Sequence, residues 1–177
     1  LGAAGAFSYA RKTGYRNLDD VRIAEARPAG LEHDEANTSY RLSRDERLRR
    51  VTALLDGLAR LEGGATQTIH YTDVAPPLVI LAVTRGGNHV FGHVVGHDEL
   101  RRPVLKTDAL AEALDVHRAD ILSPVYVGWA RGYLAGERAR FEAWREQAQP
   151  AQVVVDHPRR AYERLIADLR ANPAWLD

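Results

Sequence analysis

The chain contains no cysteine and no methionine. Without thiols it has neither a disulfide staple nor a thiolate metal site, so its stability must come from an apolar core, as in a reducing compartment. A cytoplasmic protein is expected. The missing methionine includes the first position, Leu1, so the residues are read as part of a longer protein that begins upstream. There is no apolar run of the length that crosses a bilayer and no basic-then-apolar leader, so no membrane partner is expected. Lysine is scarce: apart from Lys12 and Lys106, the 24 basic residues are arginines, and they are balanced by 24 acidic residues. No chain-wide positive field draws in nucleic acid, so any such contact must be local. Arginine's planar fork suits phosphate contacts and base stacking, which keeps a local contact open. Phosphate-loop, dinucleotide and nucleophile-elbow patterns are absent.

What remains is ample for a core. A hydrophobic fraction of 45% beside 27% charged residues is the balance of a folded chain rather than a disordered one. Phe7 and Tyr9 alternate along an extended segment, and Arg11, Lys12, Gly14, Tyr15 and Arg16 form a basic, aromatic turn after it. From about 22 to 42 neither hydrophobic period holds, and Pro28 and Gly30 intervene, which predicts an inserted loop. Ser43 and Glu46 have capping-box spacing, and Leu48, Val51, Leu54, Leu55, Leu58 and Leu61 then recur at helical intervals. Gly63 and Gly64 supply the stop.

Pro76 and Pro77 open an apolar run from Leu78 to Val83, and Arg85-Gly86-Gly87-Asn88 reads as a hairpin turn into a strand over His89 to Val95. Thr107 starts a short helix through Leu114, and Val125-Tyr126-Val127 has strand character. A polar helix is predicted from Glu137 to about Gln147, a short strand over Gln152 to Val155, and a last helix capped by Asp156. The expected fold class is α+β, in one domain over 1–177, with a C-terminal helical extension from about 137 to 177.

Three features carry possible chemistry. His89, His93 and His97 are spaced by four, which puts them on one face of a strand, or of a helix, and makes a metal site conceivable, although no zincin glutamate accompanies them and Gly92 and Gly96 weaken a helix. The bland alternative is an exposed strand face of hydrogen-bonded imidazoles. Asp19 and Asp20 could serve a metal or act as a base, but adjacent carboxylates rarely converge, and a solvated loop with Asp capping the next turn is the preferred reading. Arg41, Arg44, Arg47, Arg49 and Arg50 surround the first long helix beside Asp45 and Glu46, as on an ordinary solvated helix. The basic turn with Lys12, Tyr15 and Arg16 has the composition that single-stranded RNA requires, since bases stack on rings while phosphates pair with cations. In Gly63-Gly64-Ala65-Thr66-Gln67-Thr68, small residues would let a nucleic-acid backbone approach main-chain amides and Gln67. It is also an ordinary helix-to-strand connector.

Three segments, in this order, carry a resemblance: Gly5-Ala6-Phe7-Ser8-Tyr9, then Gly14-Tyr15-Arg16-Asn17-Leu18-Asp19, then Gly63-Gly64-Ala65-Thr66-Gln67. Followed by the Pro-flanked strand at Ala75 to Leu81, they resemble the CRISPR-associated Cas seven, DevR-type backbone subunits over roughly residues 5 to 95. The resemblance implies an RRM-like antiparallel sheet with helices and inserted loops, and a noncatalytic subunit that binds the guide RNA (crRNA) of a Cascade-type interference complex. Its implied partners are that RNA, further copies of itself, other Cascade subunits and, through the guide, the target nucleic acid. Lys12, Tyr15, Arg16, Gly63, Gly64, Thr66 and Gln67 would be the RNA-contacting residues, with no catalytic residue, metal or cofactor. The competing expectations are a metal-dependent hydrolase built on His89, His93 and His97, and a protein-interaction module without RNA.

Overall fold

The computed structural model describes residues 6–8, 18–61, 74–86, 89–148 and 152–177. The chain is a mixed α+β protein that divides into two compact units, one of residues 1–54 with 169–177, the other of residues 55–168.

In the first unit, β1 (Ala6–Ser8), α1 (Asp20–Ala26), β2 (Glu32–Asp34) and β3 (Ser39–Arg41) precede α2 (Arg44–Ala59), whose last residues, from Leu55, belong to the second unit. The strands form an antiparallel sheet in the order β1-β3-β2. The stretch expected to be a loop over 22–42 therefore holds most of a helix and a hairpin. Short strands of exposed polar residues such as Glu32 and His33 give no period to read, while Tyr40, Ala26 and Leu18 bury themselves with Phe7, Ile23 and Leu31. Asp19 does what a loop aspartate commonly does: its Oδ1 accepts from the Arg22 amide at 2.9 Å and caps α1.

Ser43 caps α2, its Oγ accepting from the Glu46 amide at 3.4 Å. The reciprocal half of a capping box is not made, because the Glu46 carboxylate turns to Arg49 and Arg50, 2.7 Å away. The buried stripe of α2 runs through Arg47, Val51, Thr52 and Leu55, leaving Leu54, Leu58 and Leu61 exposed. Arg47 is not the surface arginine expected. It donates to the Leu176 carbonyl, at the end of the 3-10 helix Pro173–Leu176, and joins Arg44 at the Asp177 carboxylate.

The second unit contains β4 (Leu78–Leu81), β5 (Val95–His97), β6 (Pro103–Leu105), α3 (Thr107–Val116), β7 (Val125–Trp129), α4 (Ala135–Ala148), β8 (Val153–Asp156) and, up to Asp168, α5 (Pro158–Ala171). Its main sheet has the order β4-β7-β8 and is mixed: β4 runs antiparallel to β7, and β8 parallel to it. The expected hairpin between Leu78–Val83 and His89–Val95 does not form. β4 finds its partner in β7, far along the chain. The chain after Gly86 reaches a turn over 90–94, and β5 pairs with β6 instead.

β7 is buried at every residue, as expected of a central strand covered on both faces. Alternation then assigns its side chains. Val125, Val127 and Trp129 join a core with Val94, Leu105, Leu110, Ile121 and Phe141, and the Trp129 and Phe141 rings lie 5.7 Å apart. On the opposite face, the Tyr126 hydroxyl donates to Asp168, and burial together with that carboxylate pushes the phenol pKa up. Gly128, on the same face, lies under the start of α5. A Cβ there would meet the Pro158 backbone at 2.5 Å. No described helix is long and apolar enough to cross a membrane.

Candidate nucleic-acid interface

The parallel pair β7 and β8 ends with Gly128 opposite Asp156, so the residues just beyond each strand meet at one edge of the sheet. Beyond β7 the chain turns at Ala130 and Arg131 toward α4, and Gly132 takes a φ of +85°, a left-handed conformation that glycine adopts without steric cost. The Trp129 indole pins this turn by donating to the Tyr133 carbonyl at 2.8 Å. Beyond β8, His157 leads straight into α5. Its carbonyl accepts from the Ala161 amide at 2.9 Å, Pro158 occupies the first helical position, and His157 Nδ1 accepts from the Arg159 amide at 3.3 Å. The expected cap, Asp156, does something else: its Oδ1 accepts from the His157 amide at 2.8 Å.

These two chain ends and α4 enclose a cleft of about 970 Å³, lined by Arg131, Arg138, Arg159, Arg160 and His157, with Asp156 and Glu163 as its carboxylates. Each carboxylate is already engaged. Glu163 lies 3.2 Å from the Arg159 Nε, and Asp156 lies 2.9 Å from Arg164 and 3.8 Å from Arg160. The His157 amide, followed by Arg164 and Arg160, holds the Asp156 carboxyl below the usual aspartate range against the opposing effect of burial. Arg138 reaches the Trp129 carbonyl at 3.3 Å and lies 3.7 Å from Glu142. Arg131 is exposed and has no ion-pair partner among the described residues.

The electrostatics of the cleft run against a local rule. A helix N-terminus carries the positive end of the helix dipole and four unpaired amides, so acidic residues belong in its first turn. In α5 that turn has none and instead carries Arg159 and Arg160. Pro158 has no N–H and the Arg159 amide is taken by His157 Nδ1, so what gathers at this place is the helix dipole and the guanidinium groups of Arg159 and Arg160, which an anion could share with Glu163 and Asp156.

A second hollow adjoins the cleft. It measures about 310 Å³, is lined by Leu58, Leu61, Pro76, Pro77 and Tyr162, and shares Ala130, His157 and Arg159 with the cleft. The Ala130 amide donates to the Pro77 carbonyl at 2.8 Å, which holds the proline pair against the end of β7. Prolines suit this strand entrance because no ladder donor is required there.

The residues singled out by sequence fall elsewhere. Lys12, Tyr15, Arg16, Gly63, Gly64, Thr66 and Gln67 lie outside the described residues, although Leu61 and Ala75, on either side of 62–73, both line the apolar hollow. His89, His93 and His97 do not share a strand face: His93 is in the turn over 90–94, His97 is in β5, and all three are exposed. Among the described residues no three His, Asp or Glu side chains are grouped so as to hold a metal ion. Arg41, Arg44, Arg49 and Arg50 pair with Asp34, Asp177 and Glu46, and Arg47 is buried.

The cleft itself was missed. Its arginines span thirty positions of sequence and meet only through the β7-α4-β8-α5 path. The available signal was His157-Pro158-Arg159-Arg160, a helix start with basic residues where acidic ones are favoured. Comparison with protein-family models, with curated proteins and with solved structures finds no match to this chain.

Proposed function

We propose that the chain is a noncatalytic RNA-binding subunit that takes the sugar-phosphate backbone of a guide RNA in the arginine cleft at the start of α5. The observation that carries the reading is the convergence of Arg131, Arg138, Arg159 and Arg160 at a helix start whose first turn holds no acidic residue, four arginines against the two cleft carboxylates Asp156 and Glu163, in a chain whose net charge is zero. Local concentration of guanidinium groups is what binds phosphate without drawing nucleic acid to the whole surface.

The resemblance to CRISPR backbone subunits makes the ligand a guide RNA and adds Lys12, Tyr15, Arg16, Gly63, Gly64, Thr66 and Gln67 as further contacts. In that reading sequence specificity comes from base pairing, and the protein reads backbone and shape. The RRM-like palm is the finer fold it implies. In that fold the two strands joined by a crossover helix have another strand between them, whereas β7 and β8, joined by α4, are directly adjacent and parallel, so the support lies in the cleft and not in the sheet.

The test is to purify the native assembly with its natural partners, record its 260-to-280 nm absorbance ratio, and sequence any extracted RNA. Short RNAs sharing a repeat-derived end are expected. A nucleic-acid-free assembly rejects the reading.

A further inference from the structure

The apolar hollow beside the arginine cleft has no role in holding phosphate. Its walls are Leu58, Leu61, Pro76, Pro77 and Tyr162, with Arg60 at their margin, and Leu58 and Leu61, in and just past the last turn of α2, remain 38% and 41% exposed. The seam with the cleft is formed by Ala130, His157 and Arg159. His157 Nδ1 accepts from the Arg159 amide at 3.3 Å, which holds the imidazole beside Arg159 at the seam. The exposed imidazole and the Arg159 guanidinium are planar groups of the kind on which bases stack.

Charge on one side and apolar walls on the other match the two halves of a nucleotide. We propose that the hollow receives one unstacked nucleobase of the strand whose phosphates occupy the cleft, with His157 and Arg159 at the junction of base and backbone. The proposal rests on the RNA-binding reading and adds a base subsite to it. The polar groups of the lining are few, and Arg60 among them is held by Asp56 at 2.9 Å, so the subsite discriminates little between bases. That tolerance suits a protein that leaves sequence to the RNA.

The experiment compares two probes on the full chain, a short oligouridylate and the matching abasic ribose-phosphate oligomer, which carry the same charge. Each is titrated against the wild type and against Leu58→Ser/Leu61→Ser, whose positions are exposed enough to change without opening the core. Thermal melting checks that the variant folds. The wild type is expected to bind oligouridylate roughly tenfold more tightly than the abasic oligomer. In the variant that difference disappears while abasic binding is unchanged.

Equal binding of the two probes by the wild type overturns the base subsite and leaves the cleft reading intact. A preference that persists in the folded variant overturns it as well, because the base would then be held elsewhere. If neither oligomer binds, the RNA reading fails and the subsite fails with it. Concentration-dependent self-association, lost in the variant without any change in oligomer binding, would assign the hollow to a second copy of the chain and overturn the proposal.

Discussion

Asp156 shows how one side chain organises the site. Its carboxylate accepts from the His157 amide and from Arg164, and lies near Arg160, which ties the end of β8 to the first turns of α5. Asp156→Asn keeps the shape and removes the charge, and is expected to cost about 1–2 kcal/mol, discounted for the solvent exposure of the arginines. Because the folded carboxyl titrates below the ordinary value of 3.8, its contribution is complete above that value and is lost as the pH falls toward the lowered one. Urea unfolding between neutral and acid pH should therefore show a wild-type loss that is smaller in Asp156→Asn; parallel curves would refute it. Gly128 acts by what it lacks. A methyl group there would meet Pro158 Cα at 2.5 Å, Val79 Cγ2 at 2.6 Å and Ala161 Cβ at 3.1 Å, and the first of these is backbone that cannot rotate away. Gly128→Ala is expected to destabilise by about 1–3 kcal/mol as overpacking does, and to weaken oligomer binding by shifting the start of α5. Unchanged melting and binding would show that α5 can move at no cost.

Elements were legible where a local pattern determined them. Ser43 and the leucine recurrence located α2 to within a few residues, and the apolar runs located β4, β7 and β8. Partners and faces were less legible. The Leu78 to Val83 run reads as half of a hairpin because Gly86 does turn the chain, at a φ of +82°, but the pairing is settled by the fully buried β7, whose burial depends on α4 and α5 lying over it. A sequence window contains no trace of that competition. Likewise the α2 arginines look alike in sequence, yet Arg47 faces inward while Arg49 is 70% exposed on its side chain and paired only with Glu46. Arg47→Ala leaves the Leu176 carbonyl without its donor and is expected to cost about 1–3 kcal/mol, whereas Arg49→Ala should be near neutral. Chemical denaturation of both variants distinguishes these outcomes, and equal losses would mean that Arg47 is an ordinary surface ion pair.

At the scale of the whole molecule, zero net charge made the candidate site hard to see. Composition reports a sum, and the cleft is a local excess: Arg131, Arg138, Arg159 and Arg160 gather at one end of the sheet with only Asp156 and Glu163 as carboxylates among them. Such a distribution has a measurable consequence. A protein that binds RNA through a few local phosphate contacts should show a shallow dependence of affinity on salt, with each contact contributing about 0.7 to the logarithmic slope on single strands. Arg131 has no described ion-pair partner and therefore gives up no internal bond on meeting a phosphate. Arg131→Ala is expected to weaken oligouridylate binding and flatten that slope by about 0.7, similarly for other base sequences. Arg49→Ala removes the same formal charge from a site outside the cleft, so it should leave the slope unchanged. Equal flattening by both variants would mean that the chain is attracted to RNA by its charge at large, and the arginine cleft would then lose its claim to be the place where the strand lies.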